Sequence, residues 1–591
     1  MRTKISLISF NLKNLNKNLL KKFKSKGKHR LIGNWCRDHK FLDENSLDLT
    51  AFNFKNWKNK KGQLKDIKKI NTIYKKLLKE FVNNLNIIHN KNYPKKYWEF
   101  LINRWLLANI IDLFSKWKIS DKIIERFNVS NFYYLKLNEK SFIPENTWHH
   151  NVLHKSNDGL WSHIIFRNIF NYRTIGLKNI EINSRAKLLE SSLQKRNFVK
   201  YNIKSFFNFF LFDKIFMYDL SFDKKIVFFI KLKNFFANIN FKRKKVDLSL
   251  NSLNLRSEFV KLFKSEQKSL ENFIKESITI TFPKIFLENY TSLEKVYSGL
   301  NWIKKPKFIM TSYGHYYDEV FKIYCSKNII KNSKIFIFQH GDGGIYDYDD
   351  YYNTGWDKIL CDKYFVWGKN PKKNYKKFYF IKKKINSKIY FKSNFNGKIL
   401  ITMYGFSEQP YRPLNGHYDF YDINRDLYKN NIKFFKNLKN EIKAKINKKI
   451  LDNSRKKIVN NSLKKLYTNK RVINEKENYL KIINNYNLIV HFYLGTPFFE
   501  SMFYNKPSII ILNEKFQLHF DKNFRVLVKK FKKNRICFES PVEASKFIND
   551  NFKDLEDWWN DSKVQRVRNK FCDLYCRNFQ LGEDFNNLFK K

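Results

Sequence analysis

The chain has 591 residues, of which 43% are hydrophobic and 18% aromatic, so it can form two or three packed domains. Its 115 Lys and Arg against 54 Asp and Glu give a formal net charge of +61, which fits nucleic acid, an anionic membrane surface or a phosphate-rich substrate as partner. The codon bias of an AT-rich genome would also produce this lysine excess. The sequence has no run of about 18 uncharged apolar residues, so it predicts no membrane span.

Six cysteines are scattered along the chain without a CxxC pair, which indicates a reducing compartment. Cys572 and Cys576 are four residues apart, so they could share one helix face and form a disulfide or bind a metal. The apolar run near residue 5 is too short for a secretory signal. We therefore expect a cytoplasmic protein that could attach to the inner membrane as a peripheral protein.

Amphipathic helices dominate the first part of the chain. Residues 31–33 indicate a short strand, and apolar side chains at three- and four-residue steps predict a helix over residues 66–90. A second helix is predicted over residues 97–117, with an aromatic stripe that is typical of packing. Arg104 lies within this stripe and could reach a pocket.

From residue 305 the pattern changes to alternating strands and helices. Residues 308–310, 335–338 and 364–367 are short apolar runs, and residues 318–327 have the spacing of a helix. Strands that alternate with helices predict a parallel, doubly wound sheet.

A lysine-rich linker over residues 372–388 is expected to lead to a second region of the same kind. Strands are predicted at residues 398–403, 487–491 and 507–512, and helices at residues 421–449, 498–504 and 551–580. The predicted fold class is therefore α/β, with two Rossmann-like domains over residues 1–390 and 391–591. The first of these domains would carry a helical N-terminal elaboration.

The most informative stretch is KIFIFQHGDGG, residues 334–344. An apolar strand runs there into His340, Gly341, Asp342 and Gly343, and the carboxyl edge of a parallel sheet is where ligands bind in such folds. Glycines let backbone N–H groups turn toward an anion, and an imidazole can exchange a proton near neutral pH. We interpret the loop as part of an active site, with a glycine turn beside a solvated histidine as the alternative.

The second region repeats this arrangement. His491 ends a strand, Gly495 and Thr496 form a turn, and a helix is expected to begin near Pro497 with Thr496 as its cap. A helix start binds phosphate through its free N–H groups, and Glu500 could accept hydrogen bonds from ribose hydroxyls. A simple capped strand-to-helix turn is the alternative.

Four further residues near strand ends are candidates. Arg412 lies in the loop after residues 398–403 and could pair with a diphosphate in bidentate fashion, or it could be a solvated loop residue. Asp318, Glu319 and Glu408 could act as general bases. Each could equally be an exposed carboxylate at a helix start.

Four histidines lie close together in sequence, and a pair four residues apart on a helix could bind zinc. No cysteine and no HExxH pattern accompanies them, so we expect neither a metal site nor a cofactor. The four are His149, His150, His154 and His163.

These motifs together resemble a family of transferases from bacterial surface-polysaccharide gene clusters, which pairs an N-terminal helical region with a glycosyltransferase-B-like core. Four motifs carry the resemblance over nearly the whole chain and in the family's order. They are Gly33-Asn34-Trp35-Cys36, Tyr97-Trp98 with Trp105, residues 339–343, and His491 with residues 495–500. Asn34 stands where the family has an acid, and Asp342 interrupts its glycine run. The loop after residue 338 is also similar to that of bacterial Kdo transferases and CDP-glycerol polymerases.

The resemblance implies that residues 1–390 bind the acceptor and residues 391–591 the nucleotide sugar. His340 would be the base or a phosphate contact, with Asp342 and Glu319 as further catalytic candidates. Phe492 stands where retaining enzymes of this fold often carry a glutamate, which favours an inverting reaction without a metal. The nucleotide-sugar contacts would be Gly341, Gly343, Arg412, His491, Gly495, Thr496 and Glu500.

The function predicted from the sequence is therefore a glycosyltransferase. It would move a sugar from a nucleotide-sugar donor to a polysaccharide or lipid-linked acceptor, at an anionic inner membrane surface. A CDP-alcohol phosphotransferase with the same cleft is one alternative. A basic nucleic-acid-binding protein is another, but we find no recognisable nucleic-acid-binding signature and expect no specific nucleic-acid partner.

Overall fold

The computed structural model describes most of the chain, and the structural statements below concern those residues. They are residues 2–12, 29–36, 49–52, 60–155, 159–182, 215–220, 237–240, 246–248, 252–264, 268–341, 354–368, 375–378, 397–403, 429–450, 473, 477, 479–512 and 520–577.

The strands form three sheets. In chain order they are β1 (Thr3–Ile8), β2 (His29–Leu31), β3 (Thr50–Ala51), β4 (Phe127–Leu135), β5 (Lys178–Ile182), β6 (Ile215–Tyr218), β7 (Ala237–Asn240), β8 (Phe308–Thr311), β9 (Lys334–Phe338), β10 (Lys363–Trp367), β11 (Tyr375–Phe378), β12 (Ile399–Met403), β13 (Ile446–Ile450), β14 (Leu488–His491), β15 (Ser508–Ile511) and β16 (Cys537–Phe538). Their orders are β3-β2-β1-β4-β5, β11-β10-β9-β8-β6-β7 and β13-β12-β14-β15-β16. Each strand pair described is parallel, which confirms the α/β class predicted from the sequence.

Helices surround the sheets. They are α1 (Lys60–Ile88), α2 (Lys95–Arg126), α3 (Thr147–Lys155), α4 (Leu160–Arg173), α5 (Leu253–Lys261), α6 (Leu270–Glu276), α7 (Ile278–Thr281), α8 (Tyr290–Ser298), α9 (Gly314–Tyr317), α10 (Glu319–Ile329), α11 (Thr354–Leu360), α12 (Asn440–Lys443), α13 (Tyr479–Ile482), α14 (Thr496–Phe503), α15 (Lys522–Lys533), α16 (Pro541–Asp550), α17 (Leu555–Asn560) and α18 (Ser562–Tyr575). Among the described residues, none of these helices combines the length and the apolar character that a membrane crossing needs.

The N-terminal region contains a sheet of its own, in addition to the two sheets that the sequence indicated. β1 pairs with both β2 and β4, and the long helices α1 and α2 lie between β3 and β4 in the chain. In this region the sequence analysis placed one strand, at residues 31–33, which overlaps β2 at Leu31, and it placed none at β1 or β4, which have six and nine residues. The two residues of β3 are too few for a periodic pattern.

Two other local predictions differ from the structure. Residues 375–378, within the expected linker, form the edge strand β11, which pairs in parallel with β10. The helix predicted over residues 421–449 ends before β13, because Ile446 and its neighbours pair with β12 instead. Lysines dominate both strands, which hides the alternation of a strand.

The second sheet is buried on both faces and separates two hydrophobic cores. Phe216, Ile309 and Ile337 belong to a core that includes the first sheet and α2. Met217, Met310 and Phe336, one residue away in each strand, belong to a core shared with the third sheet. This alternation follows from the two-residue period of a strand, so the second sheet joins the N-terminal and C-terminal parts of the molecule.

The strand orders place a topological switch point in each sheet. In the second sheet the chain passes from β6 to β7 on one side and from β8 to β11 on the other. In the third sheet β12 lies between β13 and β14. Ligands bind outside the carboxyl ends of strands at such points, which lie between β6 and β8 in the second sheet and between β12 and β14 in the third. The carboxyl end of β9 lies directly beside that of β8.

Candidate functional site

The turn after β9 is held by the side chain of Gln339. Its Oε1 accepts a hydrogen bond from the N–H of Trp367 at 2.9 Å, and its Nε2 donates to the carbonyl oxygen of Gly341. The Gln339 N–H donates in turn to the carbonyl oxygen of Phe365 at 2.8 Å. These bonds fix the backbone on either side of His340, which keeps part of its surface exposed while its Nδ1 is buried.

The neighbouring strand, β8, also leads into a histidine. Thr311 accepts a hydrogen bond from the N–H of Gly314 at 2.9 Å, and α9 then carries His315 and Tyr316. A Cβ atom at Gly314 would lie 2.7 Å from Tyr218, so this position requires glycine for packing. The two carboxyl ends of β8 and β9 thereby bring two imidazoles into one cluster.

A buried carboxylate completes this cluster. Asp357 is 1% exposed, and its Oδ1 lies 2.7 Å from Nε2 of His315. Its Oδ2 accepts a hydrogen bond from the hydroxyl of Tyr316 at 3.0 Å. The guanidinium of Arg104 lies 4.2 Å from the centre of the Tyr316 ring, so this arginine of α2 contacts the buried cluster.

His340 packs between two tyrosines of the same segment. Its ring centre lies 4.7 Å from that of Tyr313 and 4.8 Å from that of Tyr316. Tyr313 is 38% exposed, whereas Tyr316 is buried. His340 therefore lies between the buried cluster and solvent.

Burial sets the charge state of the cluster. It lowers the pKa of His340 to about 4, against an opposing contribution from Asp357. For Asp357 burial alone would raise the pKa, but His315, His340 and Arg104 together lower it, so the carboxylate is ionised. Burial and Asp357 raise the pKa of Tyr316. A neutral imidazole can accept a proton, and the ionised carboxylate offsets part of the cost of the resulting positive charge.

The two carboxylates predicted near this edge have structural partners. Asp318 caps α10 by accepting a hydrogen bond from the N–H of Phe321 at 3.0 Å, and it accepts another from the hydroxyl of Tyr218. Glu319 accepts the N–H of Thr147 at 2.8 Å and pairs with Lys322 at 2.7 Å. Glu319 thus joins α10 to α3.

The remaining residues predicted in this loop are only partly visible. Gly341 follows His340 and is half-buried, and no atom of the part of the chain that the structure describes lies within 4 Å of a Cβ placed on it. Asp342 and Gly343 lie outside the described residues. Arg412 and Glu408, in the loop after β12, also lie outside them.

His491 ends β14 as predicted and is fully buried. Its Nδ1 lies 2.8 Å from the hydroxyl of Thr402 on β12, and its ring meets Phe498 edge-on at 5.3 Å. Its Nε2 has no hydrogen-bond partner among the described residues. Burial lowers the pKa of His491 to about 3, so the imidazole is neutral.

The turn after His491 differs from the prediction in one detail. Gly495, not Thr496, is the N-cap of α14, and Thr496 is its first residue. The ring of Tyr493 would lie 2.3 Å from a Cβ at Gly495, which explains the glycine. Glu500 is buried one turn into the helix. Pro497 has no N–H, so the first turn offers fewer than four free donors.

Side-chain contacts connect the two histidine-bearing edges. The ring of Trp367, whose N–H bonds to Gln339, lies 6.1 Å from the ring of Phe499 in α14. The helix α18 packs on β10 in the same place, where a Cβ at Gly368 would meet the backbone of Leu574 at 2.6 Å. Both connections belong to the core that the second and third sheets share.

The described residues contain no group of three or more His, Cys, Asp or Glu side chains that could hold a metal ion. His163 is structural, since it accepts the N–H of Leu135 at 3.1 Å and bonds to Ser9. His149 accepts the N–H of Glu145, and His150 packs against Trp105 and Trp161. The side chain of His154 lies outside the described residues.

The sequence interpretation missed four residues of this cluster, which are His315, Asp357, Tyr313 and Tyr316. His315 could have been found, because it lies four residues after the end of β8 and directly after Gly314. Asp357 belongs to no motif that the sequence analysis recognised.

The profile of the family described as LIC12162 family transferase matches residues 17–584, which is nearly the whole chain. No curated protein matches the chain.

Proposed function

The chain belongs to the LIC12162 family of transferases, and from that premise we propose that it is a glycosyltransferase. The donor would be a nucleotide sugar and the acceptor a hydroxyl of a surface polysaccharide or of its lipid-linked precursor. The second and third sheets would act as the two lobes of a glycosyltransferase-B-like enzyme. Its similarity to Kdo transferases and CDP-glycerol polymerases is part of this proposal.

The observation that carries the proposal is the cluster at the carboxyl edge of the second sheet. His340 has a buried Nδ1 without a hydrogen-bond partner among the described residues and a partly exposed ring, and the ionised Asp357 lies nearby. A transferase that uses a hydroxyl as nucleophile needs a proton acceptor at this kind of edge.

His340 would take the proton of the acceptor hydroxyl. The O–H bond breaks, an N–H bond forms on the imidazole, and the oxygen bonds to the anomeric carbon. The bond from that carbon to the donor's phosphate oxygen breaks at the same time, and the nucleoside diphosphate leaves with the electron pair. Attack from the face opposite the leaving group inverts the configuration.

The edge of the third sheet would bind the donor. Thr496 and the first turn of α14 present the positive end of a helix to the diphosphate. His491, close by in sequence, has a buried Nε2 that no other described residue hydrogen-bonds. Gly341, Gly343, Gly495, Arg412 and Glu500 are proposed as further contacts, with Glu500 toward the ribose. No metal is needed in this scheme.

We keep a CDP-alcohol phosphotransferase as the second candidate. It would use the same residues, with the acceptor oxygen attacking a phosphorus atom of the donor.

A membrane location fits either reaction. Exposed cations lie on α15 at Lys522, Lys529, Lys530 and Lys533, and each basic residue near an anionic leaflet contributes about 1 kcal/mol.

Thermal-shift screening of the full chain against UDP-, GDP-, dTDP- and CMP-sugars and CDP-glycerol tests the donor class. A bound donor raises the unfolding midpoint. Product analysis with the bound donor then separates sugar transfer from phosphoalcohol transfer.

His340→Ala should reduce turnover at least about 100-fold and leave the unfolding midpoint unchanged. Full activity of His340→Ala would end the assignment of the base.

A further inference from the structure

Asp357 has different hydrogen-bond partners from Asp318 and Glu319, the two carboxylates predicted near this edge. Asp318 and Glu319 bind backbone N–H groups, Tyr218 and Lys322. Both oxygens of Asp357 instead contact α9. Oδ1 lies 2.7 Å from Nε2 of His315, and Oδ2 accepts a hydrogen bond from the hydroxyl of Tyr316 at 3.0 Å.

Tyr316 links this carboxylate to His340. Its hydroxyl is bound by Asp357, one side of its ring lies 4.2 Å from the Arg104 guanidinium, and its ring meets His340 at an interplanar angle of 78°. A ring that is fixed at its hydroxyl and covered by a guanidinium cannot rotate away. It therefore holds the imidazole in place.

We propose that Asp357, oriented by His315 and Tyr316, is the carboxylate that stabilises the positive charge formed on His340 when the acceptor proton is removed. The proposal deepens the proposed function and rests on it. Asp357 and His315 are positioning residues, because they act through His340 and need not touch the substrate.

The charges around His340 support this role. Arg104 and His315 disfavour a proton on His340, and among these described groups Asp357 is the one whose charge favours it. Tyr313 and Tyr316 cover the ring, and burial and Asp357 raise the pKa of Tyr316, which therefore adds no charge at physiological pH. Without Asp357 the imidazolium would form beside a guanidinium, and none of the other described groups that act on the pKa of His340 would favour its positive charge.

A substrate-free measurement tests the electrostatic link. Full-length chain with ¹⁵N-labelled histidine, otherwise deuterated, is compared as wild type, Asp357→Asn and Asp362→Asn, with His315→Gln and His340→Gln for assignment. Asp362 is a matched control, because it accepts the N–H of Ile335 and pairs with Lys334, away from the histidines. We expect Asp357→Asn to shift the ring nitrogens of both His315 and His340, and Asp362→Asn to shift neither. An unchanged His340 signal in Asp357→Asn overturns the proposal.

Kinetics on the donor found by screening test the consequence. Asp357→Asn should lower kcat about 100-fold, with KM for the donor within about threefold and the unfolding midpoint close to that of Asp362→Asn. His315→Gln keeps an N–H for Asp357 and should retain most activity, whereas His315→Ala should lose it. Equal losses in both His315 variants would show that His315 itself carries the proton and would overturn its positioning role. If the wild type transfers none of the donors, the proposed function fails, and the nitrogen shifts still decide whether Asp357 acts on His340.

Discussion

The indole of Trp35 folds back over Gly33, so that a Cβ atom at Gly33 would lie 1.9 Å from Cζ3 of the ring. The turn is closed by a hydrogen bond from the N–H of Cys36 to the carbonyl oxygen of Gly33 at 3.0 Å. The indole stacks on Phe166 at a centroid distance of 6.1 Å. The motif at the end of β2 is therefore a compact packing unit between β2 and α4.

Gly33→Ala should destabilise the protein. The added methyl group must displace a ring that is 8% exposed, and overpacking of this kind costs about 1–3 kcal/mol. Thermal unfolding of the full chain measures the effect. Gly299→Ala is the control, because the nearest atom to its Cβ is 3.7 Å away, and its midpoint should stay at the wild-type value. A wild-type midpoint for Gly33→Ala would show that Trp35 has another place to go.

Two glycines at the edge of the second sheet should behave in opposite ways. Gly314→Ala places a methyl group 2.7 Å from Tyr218 and should lower the unfolding midpoint and displace His315. Gly341→Ala meets no atom of the described residues within 4 Å and should leave the midpoint unchanged. If a ligand approaches the backbone beside His340, Gly341→Ala should weaken its binding at least about tenfold, as isothermal titration would show. Unchanged affinity would remove Gly341 from the proposed contacts.

The architecture was predictable where strands are apolar and continuous. β9, β10, β12, β14 and β15 are runs of buried apolar residues, and each was located from the sequence. The strand predicted at residues 31–33 overlaps β2 only at Leu31. The strands without a specific prediction include the two-residue β3 and the lysine-rich β11 and β13, but also β1 and β4, which are six and nine residues long. Their position depends on pairing with a neighbouring strand, which no local pattern records.

The candidate site was predictable in part for a related reason. His340 and His491 follow apolar strands directly, so the sequence placed both at strand ends. The partners of His340 come from three separate elements, with Arg104 on α2, Tyr316 on α9 and Asp357 on α11. Tertiary packing alone brings these together, so periodicity and spacing could not identify the cluster.

Glu319 should prove important for stability rather than for proton transfer. Its carboxylate and the Lys322 ammonium are both buried, and removing one member of a buried pair costs about 3–5 kcal/mol. Glu319→Gln should therefore lower the free energy of unfolding, while Glu319→Gln with Lys322→Met should recover much of the loss. Denaturant unfolding measures both variants. If the double variant loses as much turnover as His340→Ala, Glu319 takes part in the chemistry.

The buried histidines should make the protein less stable in mild acid. Burial lowers the pKa values of His163 and His491 from 6.5 to about 3, so the unfolded chain binds more protons than the folded chain between these values. The free energy of unfolding is therefore undiminished by these two histidines above pH 6.5, and it decreases as the pH falls toward 3. At pH 5 each such histidine accounts for about 2 kcal/mol of lost stability.

His491→Asn keeps a polar atom near Nδ1 but cannot titrate, so it should reduce the stability difference between pH 7 and pH 5 by about that amount. Thr402→Val removes the same hydrogen bond and retains the imidazole, so it should keep the wild-type pH dependence. If the stability of His491→Asn and of Thr402→Val depends on pH in the same way, His491 is already accessible to protons in the folded protein. Contact with an open donor site would make the imidazole accessible in this way.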